Sequence, residues 1–231
     1  MRTLGVIGGI SWESTAHYYT RINQLVAQSL GGLHSAQLLL YSVEFDEIQK
    51  LQHADEWGEL GRIFSGIARR LEKGGAEGLL IGANTMHIIA EEIAAAVSIP
   101  VIHIGDAVAA ALQDAGITSA ALLGTRFTME KAFYRDHLEQ HGLRVMVPEA
   151  EEREELHRII FGELCQGVIK EDSKDSFYRV VERLARAGAG GAILGCTEFS
   201  LIADPARSRI PLFDSTELHA RAAVDWMLGR E

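Results

Sequence analysis

Short apolar runs closed by glycine alternate with amphipathic helical stretches along the chain, and the whole pattern occurs twice. Residues 4–9 (LGVIGG) and 120–125 (AALLGT) are strand-like runs, each followed by a helical stretch carrying an aromatic pair, Tyr18-Tyr19 and Phe133-Tyr134. Residues 71–85 (LEKGGAEGLLIGANT) and 184–198 (LARAGAGGAILGCTE) align without a gap, so that Leu71, Gly75, Ala76, Gly78 and Gly82 recur as Leu184, Gly188, Ala189, Gly191 and Gly195. Both halves close alike, with Ile99-Pro100-Val101 and Ile210-Pro211-Leu212 ahead of the helical runs 106–112 and 217–228. Apolar runs of roughly four to eight residues between helical patterns of roughly 10–20 predict βαβ units and parallel sheets. Two copies of about 110 residues fit ordinary domains and are too few for a solenoid. The expected fold class is α/β, with two pseudo-symmetric doubly wound parallel-sheet domains from an internal duplication. Residues 1–103 plus 212–231 are expected to form the first domain and 104–211 the second, with the site in the cleft between them.

Composition narrows the class of function. The 231 residues are 47% hydrophobic and carry a net charge of −10, from 22 basic and 32 acidic side chains. No basic block is present, which argues against a nucleic-acid partner. No run approaches the ~18–20 apolar residues of a membrane span, and the N-terminus lacks a signal-peptide pattern. Cys165 and Cys196 are the only cysteines, which points to a reducing, cytoplasmic compartment rather than a disulfide scaffold.

In open parallel sheets, ligands bind beyond the carboxyl ends of the strands. Four Gly-led, hydroxyl-rich or amide-rich tips follow apolar runs: 8–15 (GGISWEST), 82–87 (GANTMH), 124–128 (GTRFT) and 195–200 (GCTEFS). Ser11, Asn84, Thr85, Thr125, Thr128, Thr197 and Glu198 on these tips are candidate substrate-binding groups, together with Gln52 in 42–52. Any one of the hydroxyls also suits a plain helix cap. Four tips paired by the repeat favour a shared site, and a helix N-terminus behind each would attract a carboxylate.

The copies differ where chemistry would occur. The second copy carries Cys196 at its tip and the first carries Ala83. A helix N-terminus following Cys196 would lower the thiol pKa and favour thiolate, whereas Glu198 would orient a substrate ammonium or oppose that effect. Cys165, in the helical stretch 159–167, reads as a packing residue. His87, in the first turn of an expected helix over 86–97, reads as a cap or surface group. His34 and His103 are scattered, and no histidine pair at i, i+4 with a nearby carboxylate is expected, so no metal site is predicted. The G-x-G-x-x-G spacing of a dinucleotide loop is absent.

These segments carry a family resemblance. Gly8-Gly9-Ile10-Ser11-Trp12-Glu13-Ser14-Thr15, Leu33-His34-Ser35-Ala36, Asn84-Thr85-Met86-His87, Leu123-Gly124-Thr125-Arg126 and Gly195-Cys196-Thr197-Glu198 resemble the aspartate/glutamate racemase superfamily, most closely its broad-specificity amino-acid racemase branch. The resemblance covers essentially the whole chain. It implies a cofactor-independent amino-acid racemase, two α/β domains and a homodimer. It also implies thiol acid/base chemistry, the second catalytic Cys falling on Cys196 and the first on Ala83, which has no transferable proton.

Three readings follow from that departure. The protein racemises with Thr85, His87 or a held water as the second proton source, or it does one-sided chemistry through Cys196, as in the related arylmalonate decarboxylase type. In the third, Ala83 is an engineered replacement. A small-molecule binding protein that keeps the cleft is the non-enzymatic alternative. Aspartate-specific relatives carry basic residues near the positions of Glu47 and Cys165, so a dedicated clamp for a distal carboxylate is not expected. Arg126 is the remaining candidate cation.

Overall fold

A computed structural model describes residues 1–230. Among them the chain forms two four-stranded parallel sheets of the same topology, β2-β1-β3-β4 and β6-β5-β7-β8. The first uses β1 (Leu4–Gly8), β2 (Leu38–Ser42), β3 (Gly78–Ile81) and β4 (Val101–Ile102). The second uses β5 (Ser119–Gly124), β6 (Arg144–Met146), β7 (Gly191–Gly195) and β8 (Leu212–Asp214). The helices are α1 (Trp12–Leu30), α2 (Phe45–His53), α3 (Trp57–Lys73), α4 (Ala90–Ala95), α5 (Ile104–Asp114), α6 (Arg126–Glu130), α7 (Ala132–Gln140), α8 (Ala150–Gly162), α9 (Glu171–Arg186) and α10 (Ser215–Leu228).

Two compact units result, 1–104 with the segment from His219 onward, and 105–218. The return to the first unit comes at His219 rather than at 212, because Leu212–Asp214 pairs with β7 as an edge strand of the second sheet.

Side chains alternate across each strand, and every central strand is apolar on both faces. In the first unit Leu4, Val6 and Leu80 pack with Tyr18, Ile22 and Val26 of α1 and Ala220, Ala223, Val224 and Met227 of α10. Ile7, Leu79 and Ile81 point the other way, into a core with Leu60, Phe64, Ile67, Ala68 and Leu71 of α3. In the second unit Ala121, Leu123, Ala192 and Leu194 meet Leu156, Ile159 and Ile160 of α8 and Phe177, Val180, Val181 and Leu184 of α9. The i, i+3, i+4 spacing of these buried positions is why α3 and α9 form where they do.

Two repeated glycines explain part of the sequence match. A Cβ on Gly78 would lie 2.5 Å from the Trp226 ring, and one on Gly191 would lie 2.8 Å from the Phe213 ring. In both units an aromatic ring covers the start of the central strand where only glycine leaves room.

Candidate active site

In the first unit, the tip after β1 is fixed from within. Gly9 has φ 87° and a Cβ there would collide with the Val43 backbone at 2.4 Å, so the loop passes too close for any side chain. Ser11 caps α1 by accepting from the Ser14 N–H at 3.1 Å, and its own hydroxyl donates to Glu13. The Gly9 N–H donates to Thr15 Oγ1 at 2.8 Å, and that hydroxyl donates to the Ser11 carbonyl. The adjacent tip continues β3, with the Gly82 N–H donating to the Ile7 carbonyl. Ala83 is half-buried, Asn84 is buried, and Thr85 opens a short 3-10 helix, Thr85–Ile89. Gln52 is buried and donates to Met86 Sδ at 3.1 Å, which brings α2 against this tip.

His87 is neither a cap nor a surface group. It is buried, with Nδ1 2.9 Å from the Ala83 carbonyl and Nε2 accepting from the Ile104 N–H at 3.2 Å. A carbonyl acceptor on one nitrogen and an N–H donor on the other fix a neutral ring protonated at Nδ1. Both positions are therefore committed to holding the tip to the start of α5. A second buried histidine lies beside it: His219 Nε2 meets the Ile102 carbonyl at 2.7 Å and Nδ1 accepts from the Tyr18 hydroxyl at 2.9 Å. Sequence reasoning missed these roles, because they rest on Ile104, Ile102 and Tyr18, which the fold brings in from other elements.

In the second unit, Cys196 follows β7 and is half-buried. Its thiol donates to Glu198 Oε2 at 2.9 Å, and the Thr197 hydroxyl donates to the same oxygen at 2.7 Å. Burial, the Glu198 charge and that hydrogen bond, with a smaller effect of Cys165, push the thiol pKa well above its ordinary value. The expected shift towards thiolate is thus reversed. The helix behind it, Thr197–Leu201, is a five-residue 3-10 turn, too short to offset desolvation and a neighbouring carboxylate.

Thr125 and Thr128 sit on the neighbouring tip. Thr125 caps α6, its hydroxyl 3.2 Å from that of Thr128, which is fully buried. Thr128 also lies under β7, since a Cβ on Gly195 would stand 3.1 Å from its methyl group. The Arg126 guanidinium faces Glu154 at 3.5 Å, and the Arg126 backbone N–H donates to His157 Nδ1 at 3.3 Å. Cys165 is exposed on the 3-10 turn Leu164–Gln166 rather than packed in a helix, because α8 ends at Gly162. Just before it, buried Glu163 accepts from Ser173 at 2.5 Å and pairs with Arg158 at 2.7 Å, which holds its carboxyl down to about 2.

The expectation that no i, i+4 histidine pair meets a carboxylate is also corrected. His137 and His141 stand four apart at the end of α7, and both Nε2 atoms approach Asp106 Oδ1 of α5, at 2.7 and 3.0 Å. The His-x-x-x-His spacing was visible in the sequence; the aspartate, 31 residues upstream, was not.

Residues 7–223 match the family model for Asp/Glu/hydantoin racemases. The chain belongs to that family. It is accordingly a racemase-family amino-acid racemase, an isomerase by class. A Yersinia pestis protein described as a candidate Asp/Glu racemase is 47% identical, with a TM-score of 0.95 over 99% of this chain and 100% of that one. An aspartate racemase homologue from Pyrococcus horikoshii OT3 is 35% identical, TM-score 0.88, over 99% and 100% of the two chains. The broad specificity amino-acid racemase RacX of Bacillus subtilis (strain 168) is 22% identical over 98% of each chain. Among the described residues, no helix is long and apolar enough to cross a membrane.

Proposed function

We propose that the protein racemises, or exchanges the α-proton of, aspartate, glutamate or a broader set of amino acids. The acid/base group is the Cys196 thiol, no pyridoxal phosphate takes part, and the chemistry is one-sided because the equivalent position carries Ala83. The observation that carries this reading is the Cys196–Glu198 pair, a thiol at a strand tip hydrogen-bonded to a carboxylate at 2.9 Å.

The pair explains how one thiol serves as both acid and base. Without substrate, desolvation and Glu198 keep Cys196 protonated. A substrate α-ammonium beside Glu198 offsets the carboxylate charge, removing one of the forces that hold the thiol pKa up. Once the thiol has lost its proton to solvent, the thiolate takes the α-proton, and the electron pair passes into the substrate carboxylate as an enediolate. Hydroxyl and N–H donors lower the energy of that charge most when they are positioned beforehand; Thr197, Asn84 and Thr85 are proposed for this shell, with Ser11, Gln52 and Thr125 around it. Thr128, fully buried, contributes by fixing Thr125. Return of the proton from Cys196 restores the same enantiomer, with solvent hydrogen exchanged in. Inversion needs a donor on the opposite face. His87 is not that donor, since both ring nitrogens hold main-chain groups, which leaves the Thr85 hydroxyl or a held water.

Replacing Ala83 with Cys tests the reading. Ala83→Cys is expected to raise inversion relative to α-proton exchange by roughly 10²-fold or more, the usual worth of a positioned acid/base group. Unchanged inversion in a correctly folded variant would show that the repeat misplaces the second base. The protonated state of Cys196 also suits a second reading, a decarboxylase of malonate-type acids in which a single thiol protonates the carbanion left by CO2 loss. Cys196-dependent CO2 release from such acids, without amino-acid exchange, would select it.

A further inference from the structure

The His137, His141 and Asp106 cluster lies in the second unit on α5 and α7, away in sequence from the four Gly-led tips. We propose that it is a binding site for a divalent late first-row metal ion, Zn2+ as the type case, that ties the first turn of α5 to the end of α7.

The donor set is that of a three-ligand zinc site. Imidazole and carboxylate are ordinary zinc ligands, and three protein ligands leave one position for water. Two imidazole nitrogens disfavour magnesium and calcium, which take oxygen donors. The helix supplies the geometry, because residues at i and i+4 lie on one face. The two rings stand 5.3 Å apart, centroid to centroid, and direct the same atom, Nε2, at one oxygen. At metal–ligand distances of about 2.0–2.1 Å, tetrahedral ligands stand roughly 3.3 Å from one another. The present Nε2–Oδ1 separations of 2.7 and 3.0 Å are short of that spacing by a few tenths of an ångström, and the two rings must also turn their Nε2 atoms towards one another to complete the site.

The supporting structure is rigid where it counts. His141 ends α7, and its carbonyl accepts from Gln113 Nε2 of α5 at 2.9 Å, so a second contact fixes the turn that carries the ring. The site is reachable: the side chains of His137, His141 and Asp106 are 24, 38 and 55% exposed. A chain charge of −10 raises the local concentration of cations rather than opposing it.

The test is a calorimetric titration of ZnCl2 into the untagged full chain carrying Cys165→Ser and Cys196→Ser, which removes thiols as competing zinc ligands. One saturable equivalent is expected, with His137→Asn or His141→Asn weakening affinity at least tenfold while far-UV circular dichroism is unchanged. The melting temperature of the parent should rise with ZnCl2 concentration and fall back when EDTA is added. A second measurement needs no substitution: in the unmodified chain, CoCl2 should broaden or shift the ring 15N signals of His137 and His141 ahead of those of other histidines. No saturable uptake, uptake indifferent to both histidine variants, or cobalt perturbation centred on other residues would overturn the proposal.

Discussion

At Cys196 burial and one carboxylate together decide how the thiol behaves. Burial is the largest cause of its raised pKa and Glu198 the next. Alkylation by iodoacetamide should therefore show a pH midpoint above the ~8.5 of a free thiol. Glu198→Gln removes the charge but not the burial, so the midpoint should fall without reaching the free-thiol value. A midpoint unmoved by Glu198→Gln would remove Glu198 from the mechanism. The sequence made Cys196 and Glu198 candidates but not the sign of their coupling. That sign depends on a 2.9 Å contact and on how little helix follows, neither of which is encoded in residue identity alone.

At the scale of elements, the two units meet the same packing demand in the same way. Gly78 leaves room for Trp226, over which Arg2 stacks at 5.1 Å. Gly78→Ala should destabilise the fold by about 1–3 kcal/mol in urea unfolding, the usual cost of overpacking. Combining it with Trp226→Leu should recover part of that loss, and strict additivity would mean that the glycine is not there for the ring. The glycines and the strand and helix periods made the βαβ order legible. What stayed hidden was the short-range chemistry at helix ends, where α8 stops at Gly162 and leaves Cys165 exposed, and where the expected helix over 86–97 begins as a 3-10 turn.

Glu163, at the end of α8, sets an acid limit on the second unit. Its folded pKa of about 2 lies below the ordinary carboxylate value because Ser173, Arg158 and Lys170 favour the charged form. A depressed folded pKa contributes stability that is complete above the unfolded value and is lost as pH falls through the folded one. Stability should thus decline between about pH 5 and 2, and Ser173→Ala, whose folded carboxyl lies nearer its unfolded value, should lose less over that range. Identical acid-unfolding profiles for the two proteins would show that the Ser173 bond is not what holds the carboxylate.

For the whole molecule, duplication followed by divergence of one tip is the central claim. The two sheets keep one topology and their central strands keep matched glycines, while Ala83 and Cys196 no longer match. The duplicated architecture could be read from the sequence because repeated glycines and apolar runs serve packing, which both copies need. The edge strand Leu212–Asp214 joins the second sheet rather than the first half, and a three-residue strand carries too little pattern to show which sheet it joins. His87 reads in the sequence as a cap or surface group and His219 carries no signal there, since their roles rest on main-chain partners brought in by the fold.

The most direct measurement is proton NMR of α-hydrogen washout in D2O, over both enantiomers of glutamate, aspartate and several neutral amino acids, with Cys196→Ala alongside. Exchange of one enantiomer that outpaces inversion, and that falls by roughly 10²-fold or more in Cys196→Ala, is the predicted result. Exchange that survives in Cys196→Ala, or no exchange with any amino acid tested, would contradict the assignment of Cys196 as the acid/base group.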